Sequence, residues 1–104
     1  MAAFFALYPK PEEDVEGFER HYQNEHMATV ADWPNVATAK VYRVTGTPRG
    51  EEAPFHLAFV ATFDSAEDMG EAMRSEGMGR SAADARTMLE QWGVAPVMLV
   101  AEDL

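Results

Sequence analysis

Residues 54–63 alternate strictly enough to admit one conformation. Phe55, Leu57, Phe59, Ala61 and Phe63 fall on one side of an extended chain, and His56, Ala58, Val60 and Thr62 on the other. That period of two is what a β-strand imposes. A strand with three phenylalanines on one face needs a covering layer, and the rest of the chain has to supply it.

Three further segments read as strands. Residues 3–8 present Phe4, Phe5, Leu7 and Tyr8 without alternation and stop at Pro9 and Pro11. Residues 36–45 form a second strand, joined to residues 54–63 by a long hairpin through Gly46, Pro48 and Gly50. Residues 95–101 form the last, with Pro96 in its first turn or on an edge. Between the first two strands, a helix from about Glu13 to Ala31 is expected. Val15, Phe18, Tyr22, His26 or Thr29, and Trp33 recur at steps of three or four, and Glu12-Glu13-Asp14 faces the positive end of its dipole. Pro34 biases Trp33 out of helical geometry. After the third strand, Ser65-Ala66-Glu67-Asp68 resembles a capping box opening a helix over residues 66–75. Gly77 and Gly79 are expected to interrupt it. A further helix over 81–92 carries Ala82, Ala85, Leu89 and Trp92 on one side and ends at a C-cap Gly93.

The order is β-α-β-β-α-β, the split βαβ pattern of the ferredoxin-like α+β fold: a four-stranded antiparallel sheet with helices on one face. At 104 residues, the chain is read as one domain, 1–104. The sheet face away from the helices is also apolar in the first and last strands, which water would not favour. A second copy of the chain is the simplest cover, so a homodimer with sheets face to face is expected.

Charge narrows the partners. Eighteen acidic residues against eight basic ones leave a net charge of −10, which argues against nucleic acid as a partner. Much of the acid falls on predicted helix starts, Glu12 to Glu19 and Glu67 to Glu76, and reads as a solvated coat. Without cysteine there is no disulfide, thiolate metal site or cysteine nucleophile. The N-terminal segment lacks a basic n-region, and the apolar run Val94 to Ala101 is far short of the ~20 residues that span a bilayer. A cytoplasmic protein without a membrane segment is the expectation.

Few side chains here carry chemistry. His21 and His26 are five apart, so on an α-helix they point about 140° apart and do not readily share a metal. His21 is expected on a solvated or interfacial flank, with Glu25 at i+4 as a surface partner. His26 lies one turn after Tyr22 on the edge of the apolar stripe. It can act there as general acid or base, or complete the core by bonding a backbone carbonyl. His56 alternates away from the Phe55–Phe63 set and is assigned to the open face, at the dimer interface. Tyr8, at a strand end, and Trp33, before Pro34, can each wall a ligand cleft or simply pack. Tyr42 points to one sheet face. Met69, Met73, Met78, Met88 and Met98 read as adaptable core. No phosphate loop, G-x-S-x-G elbow or dinucleotide fingerprint occurs, so no cofactor and no metal are expected.

Phe18-Glu19-Arg20-His21-Tyr22-Gln23-Asn24-Glu25-His26-Met27-Ala28, preceded by Tyr8-Pro9-Lys10-Pro11 and followed by Trp33-Pro34-Asn35-Val36, resembles the EthD family. Its pattern on the first helix is F-x-x-H/Y-W/Y-x-x-x-H with a P-G/N-V turn. The resemblance covers the N-terminal third; beyond that, only the order of elements agrees. It implies a dimeric α+β barrel in which His26 is the histidine at the cleft and Tyr22 the aromatic before it. In enzymes of such barrels, that histidine serves acid–base chemistry on small cyclic or aromatic compounds. The family often continues with Gly or Ala, then Pro, where this chain has Met27-Ala28. The reading is a small cofactor-independent enzyme, or accessory, acting on a small apolar or aromatic molecule. His26 is its catalytic residue, and Tyr8, Tyr22 and Trp33 bind substrate. The alternatives are a non-catalytic dimeric binding module for a hydrophobic metabolite, or haem in the same cleft with a histidine as axial ligand.

Overall fold

A computed structural model describes residues 1–104. Its elements are β1 (Ala2–Tyr8), α1 (Val15–His21), a π-helical turn (Tyr22–His26), α2 (Met27–Val30), β2 (Val36–Arg43), β3 (Leu57–Phe63), α3 (Ala66–Met73), α4 (Glu76–Trp92) and β4 (Val97–Glu102). The sheet is antiparallel with order β2-β3-β1-β4. This is the expected ferredoxin-like arrangement, with β1 and β3 at the centre.

The register of the central pair follows from side-chain size. On the helix-covered face Ala2 pairs with Phe63, Phe4 with Ala61 and Ala6 with Phe59. Small faces large throughout. A slip of two residues would set phenylalanine against phenylalanine and leave alanines facing a void. Tyr8 and Leu57 close the row, and all eight side chains are buried. Phe4 and Phe59 both meet Trp33 edge-on, at centroid distances of 5.6 and 5.7 Å.

Local signals set most helix ends. Asp14 and Ser65 accept from the backbone N–H of Gly17 and Asp68, and Gly93 takes the left-handed conformation after α4. The expected break at Gly77 and Gly79 is corrected. Ser75 caps α4 by accepting from Met78 N–H, and the helix runs through both glycines. Gly77 serves packing instead: a Cβ there would lie 2.6 Å from the Asp32 carbonyl oxygen. Its absence lets α4 lie against the end of α2. The inward row of α4 is also corrected. Gly77, Ser81 and Met88 are buried, whereas Leu89 is exposed.

The other face of the sheet has no cover. Phe5 and Leu7 are half-buried there, while Val97, Leu99 and Tyr42 are about half exposed. On the edge strand β4, Met98 and Val100 are also exposed, so Met98 departs from the expected core role. No helix is long and apolar enough to cross a membrane.

Candidate active site

The first helix builds the site through one irregular turn. Phe18, Tyr22, His26 and Val30 are all buried at steps of four. In an α-helix each such step overshoots a full turn by about 40°, so the row would wind off the sheet. The π-helical turn at Tyr22–His26, where Met27 N–H bonds the Tyr22 carbonyl, holds more than four residues and corrects that drift.

The same turn overturns the angular argument about the two histidines. Both reach one carboxylate on α4. His21 Nε2 lies 2.8 Å from Asp84 Oδ1, and His26 Nδ1 lies 2.8 Å from Asp84 Oδ2. His21 therefore pairs with Asp84 rather than Glu25, and its ring rests on Trp92 at 5.3 Å. No group of three or more His, Cys, Asp or Glu side chains is arranged to hold a metal ion.

His26 is 6% exposed. A carboxylate can only accept, so Nδ1 of the neutral ring carries the proton and donates to Asp84. The Nε2 lone pair is left without a protein partner. Burial pulls the His26 pKa below the ordinary value, and the Asp84 hydrogen bond opposes part of that shift. The ring is neutral near pH 7, with its basic nitrogen available.

A cavity of about 220 Å³ lies beside it between the helices and the sheet. Tyr8, Tyr22, His26 and Trp33 all line it, so the structure brings together the four predicted site residues. Phe4, Phe59, Met78, Ala82, Ala85 and Met98 supply further apolar walls. Tyr22 stacks on His26 at 4.7 Å, and Tyr8 meets both rings near edge-on. Burial pushes the Tyr8 hydroxyl up to about 12 and raises that of Tyr22 as well, so both stay protonated. The two hydroxyls are close enough to influence each other, yet no well-aligned bond joins them. Tyr22 Oη is buried without a protein partner.

A directed chain of hydrogen bonds holds the back of the site. Trp33 Nε1–H donates to Ser81 Oγ at 2.9 Å, Ser81 contacts Thr29 Oγ1 at 2.6 Å, and Thr29 donates to the His26 carbonyl at 2.6 Å. Trp33 can only donate and the carbonyl can only accept, so every hydroxyl proton points the same way. The chain ties the helix that carries His26 to α4, which carries Asp84.

His56 is placed elsewhere than expected. Its Nε2 meets Glu19 Oε2 at 2.7 Å on the helix side, not the open face. Arg43 grips the same carboxylate with two bonds and holds its pKa down near 2. Glu19 is thus a paired, largely covered residue rather than part of the solvated coat. Tyr42 lies on the open face beside Lys40, away from the cavity.

Sequence reasoning missed Asp84 and Ser81. Gly77, Ser81, Asp84 and Met88 recur at steps of four, three and four. A lone carboxylate in a row of otherwise uncharged residues on a packed helix face was the signal to be found.

The model of one family, REDY-like protein HapK, matches residues 1–104. Among solved structures, an EthD family protein from Bacillus halodurans superposes with a TM-score of 0.80 at 29% identity, covering 100% of this chain and 99% of that one. This bears out the EthD resemblance of the first helix. HapK from Hahella chejuensis gives a TM-score of 0.69 at 20% identity, covering 100% and 93%. SnoaB, a cofactor-independent oxygenase from Streptomyces nogalater, gives 0.64 at 12%, covering 98% and 92%. The last two likenesses establish a shared fold. Curated proteins yield no match.

Proposed function

This chain belongs to the HapK family of REDY-like proteins, and we propose that it acts by acid–base chemistry on a small apolar or aromatic molecule held between the first helix and the sheet. One observation carries the reading. In an otherwise apolar cavity, a neutral imidazole is oriented by a carboxylate on one nitrogen and left free on the other. That arrangement suits a general base taking a proton from a bound O–H or activated C–H and returning it. Asp84 fixes the tautomer and supports the imidazolium that forms. Trp33, Phe4 and Phe59 offer flat walls, and the Tyr22 hydroxyl is an unspent hydrogen-bonding group beside the base. A cavity of about 220 Å³ exceeds the roughly 150 Å³ that accommodates benzene, so it suits a small aromatic molecule rather than a macrocycle.

The reading is tested by following the His26 ring signals by NMR while phenolic, quinonoid or lactone compounds are added, with Trp33 fluorescence as a second report. Binding is expected to move both. A series in which no compound perturbs either overturns the proposal. Tight binding with no turnover supports the runner-up, a non-catalytic binding module for a hydrophobic metabolite.

We also propose that two copies pair through the open sheet face. Phe5, Leu7, Val97 and Leu99 form one apolar strip there, because Phe5 pairs with Leu99 and Leu7 with Val97. Light scattering is expected to give twice the 11.5 kDa chain mass, and the Leu99→Glu variant the mass of one chain. A monomeric wild-type protein at micromolar concentration refutes the pairing.

A further inference from the structure

The acid–base reading uses one oxygen of Asp84 and leaves the other to His21. Two imidazoles on one carboxylate is more than orienting a base requires. The two rings also differ in surroundings. The His26 side chain is 7% exposed and lines the cavity, whereas that of His21 is 18% exposed and lies at a separate surface hollow. That hollow is bordered by Asp14, Arg20, Glu25 and Gln91. With its Nε2 given to Asp84, His21 keeps Nδ1 free of any side-chain or backbone bond.

We propose that His21 is a positioning and tuning residue for His26. Through the carboxylate they share, a proton taken up by His21 engages the charge of Asp84 and weakens His26 as the base facing the cavity. This inference rests on the acid–base reading of the same site.

The physical argument is one of shared charge. Asp84 supports an imidazolium at His26 only while its own charge is uncompensated. A cation on His21 sits across one carboxylate from His26 and competes for it. Burial compounds the effect, because an imidazolium at His26 has little water to fall back on. The other groups around the pair play smaller parts. Tyr8 on β1 and Tyr22 on the π-helical turn face His26 as neutral hydroxyls, and Asp84 is the charged group facing it from α4. Arg20, Glu25 and Asp14 lie around the hollow at His21, with charges of both signs. The π-helical turn is what allows this coupling: on an unbroken α-helix, His21 and His26 would point about 140° apart and could not meet one side chain.

The test needs no substrate. In the wild-type protein, NMR titration is expected to show His21 and His26 moving together in two coupled steps, each visible in both rings. His21→Gln keeps an amide donor for Asp84 but removes the titrating charge. There the His26 curve is expected to become a single step, with its midpoint about half a unit or more higher. His21→Lys holds a cation beside Asp84 throughout the range in which a histidine titrates, and the midpoint is expected to move down. The opposite signs separate charge coupling from a merely structural role. His26 curves that superimpose in all three proteins overturn the proposal. Once a substrate is in hand, the acid limb of the wild-type rate profile should be shallower than a single protonation gives, because the two protonations oppose each other, and revert to a single-proton slope in His21→Gln. Loss of coupling with turnover intact removes only the role of His21. Coupling present in a protein that turns nothing over counts against the acid–base reading instead.

Discussion

Replacing His26 by glutamine (H26Q) is expected to lower turnover of the cavity's substrate by about 10²–10⁴-fold, the range general acid–base groups contribute. Binding should change much less. Glutamine fills much of the space of the imidazole, though its amide stands nearer the position of Nε2 than of the Nδ1 that meets Asp84, so the carboxylate keeps its bond to His21. Steady-state kinetics should therefore show the loss in kcat rather than KM. The same variant has a signature in stability. Burial holds the pKa of His26 in the folded chain below its value of 6.5 in free peptides. As pH falls, the unfolded chain takes this proton first. The stability that neutral His26 confers is complete above about pH 6.5 and is lost as pH drops through the lower folded value. H26Q should lessen the acid-side fall in urea stability measured between pH 7 and pH 5. Wild-type turnover in H26Q would remove His26 from the chemistry, whatever the stability profile shows.

Truncating Phe18 to alanine is expected to cost about 3–5 kcal/mol, the usual price of emptying a fully buried aromatic site. Phe18 has no exposed surface and touches three rings: Tyr8 at 6.0 Å, Tyr22 at 6.3 Å and Trp92 at 5.7 Å. It is the first residue of the buried row that the π-helical turn keeps in line, and it locks α1 against both β1 and the end of α4. A domain of this size has only about 5–15 kcal/mol in total. The melting temperature should fall by on the order of 15 °C or more, read by circular dichroism. Phe18→Leu, which refills much of the volume, should recover most of the loss. A melting point within a few degrees of wild type in Phe18→Ala would show that α1 is held mainly by the Glu19–Arg43–His56 cluster instead.

Much of the site is legible in the sequence alone. Tyr22 and His26 share a helix stripe, Tyr8 ends a strand that points at it, and Trp33 precedes a proline that turns the chain. Each placement follows from local period or local stereochemistry. Asp84 was not legible, because its role depends on which face of α4 turns inward. The close approach of Gly77 to the Asp32 carbonyl decides that, and neither residue signals the other in sequence. Locally the glycine is a helix breaker; packing against the Asp32 carbonyl at the end of α2 is what makes it fit. His56 departs from the strand pattern for a related reason. Strand β3 begins at Leu57, so the alternation that would put His56 on the open face stops one residue short of it, and Glu19 draws the ring to the helix side.

By itself, then, the sequence determined the order of strands and helices and the faces that the central strands and the first helix bury, because hydrophobic period acts over a few residues. Small-against-large pairing of Ala2, Phe4 and Ala6 with Phe63, Ala61 and Phe59 is written there too, as a complement between two strands. Only the tertiary structure decided the chemistry of the site. One widened turn rotated His21 and His26 by an angle no α-helical rule allows, and a glycine brought α4 close enough for a single carboxylate to hold both rings.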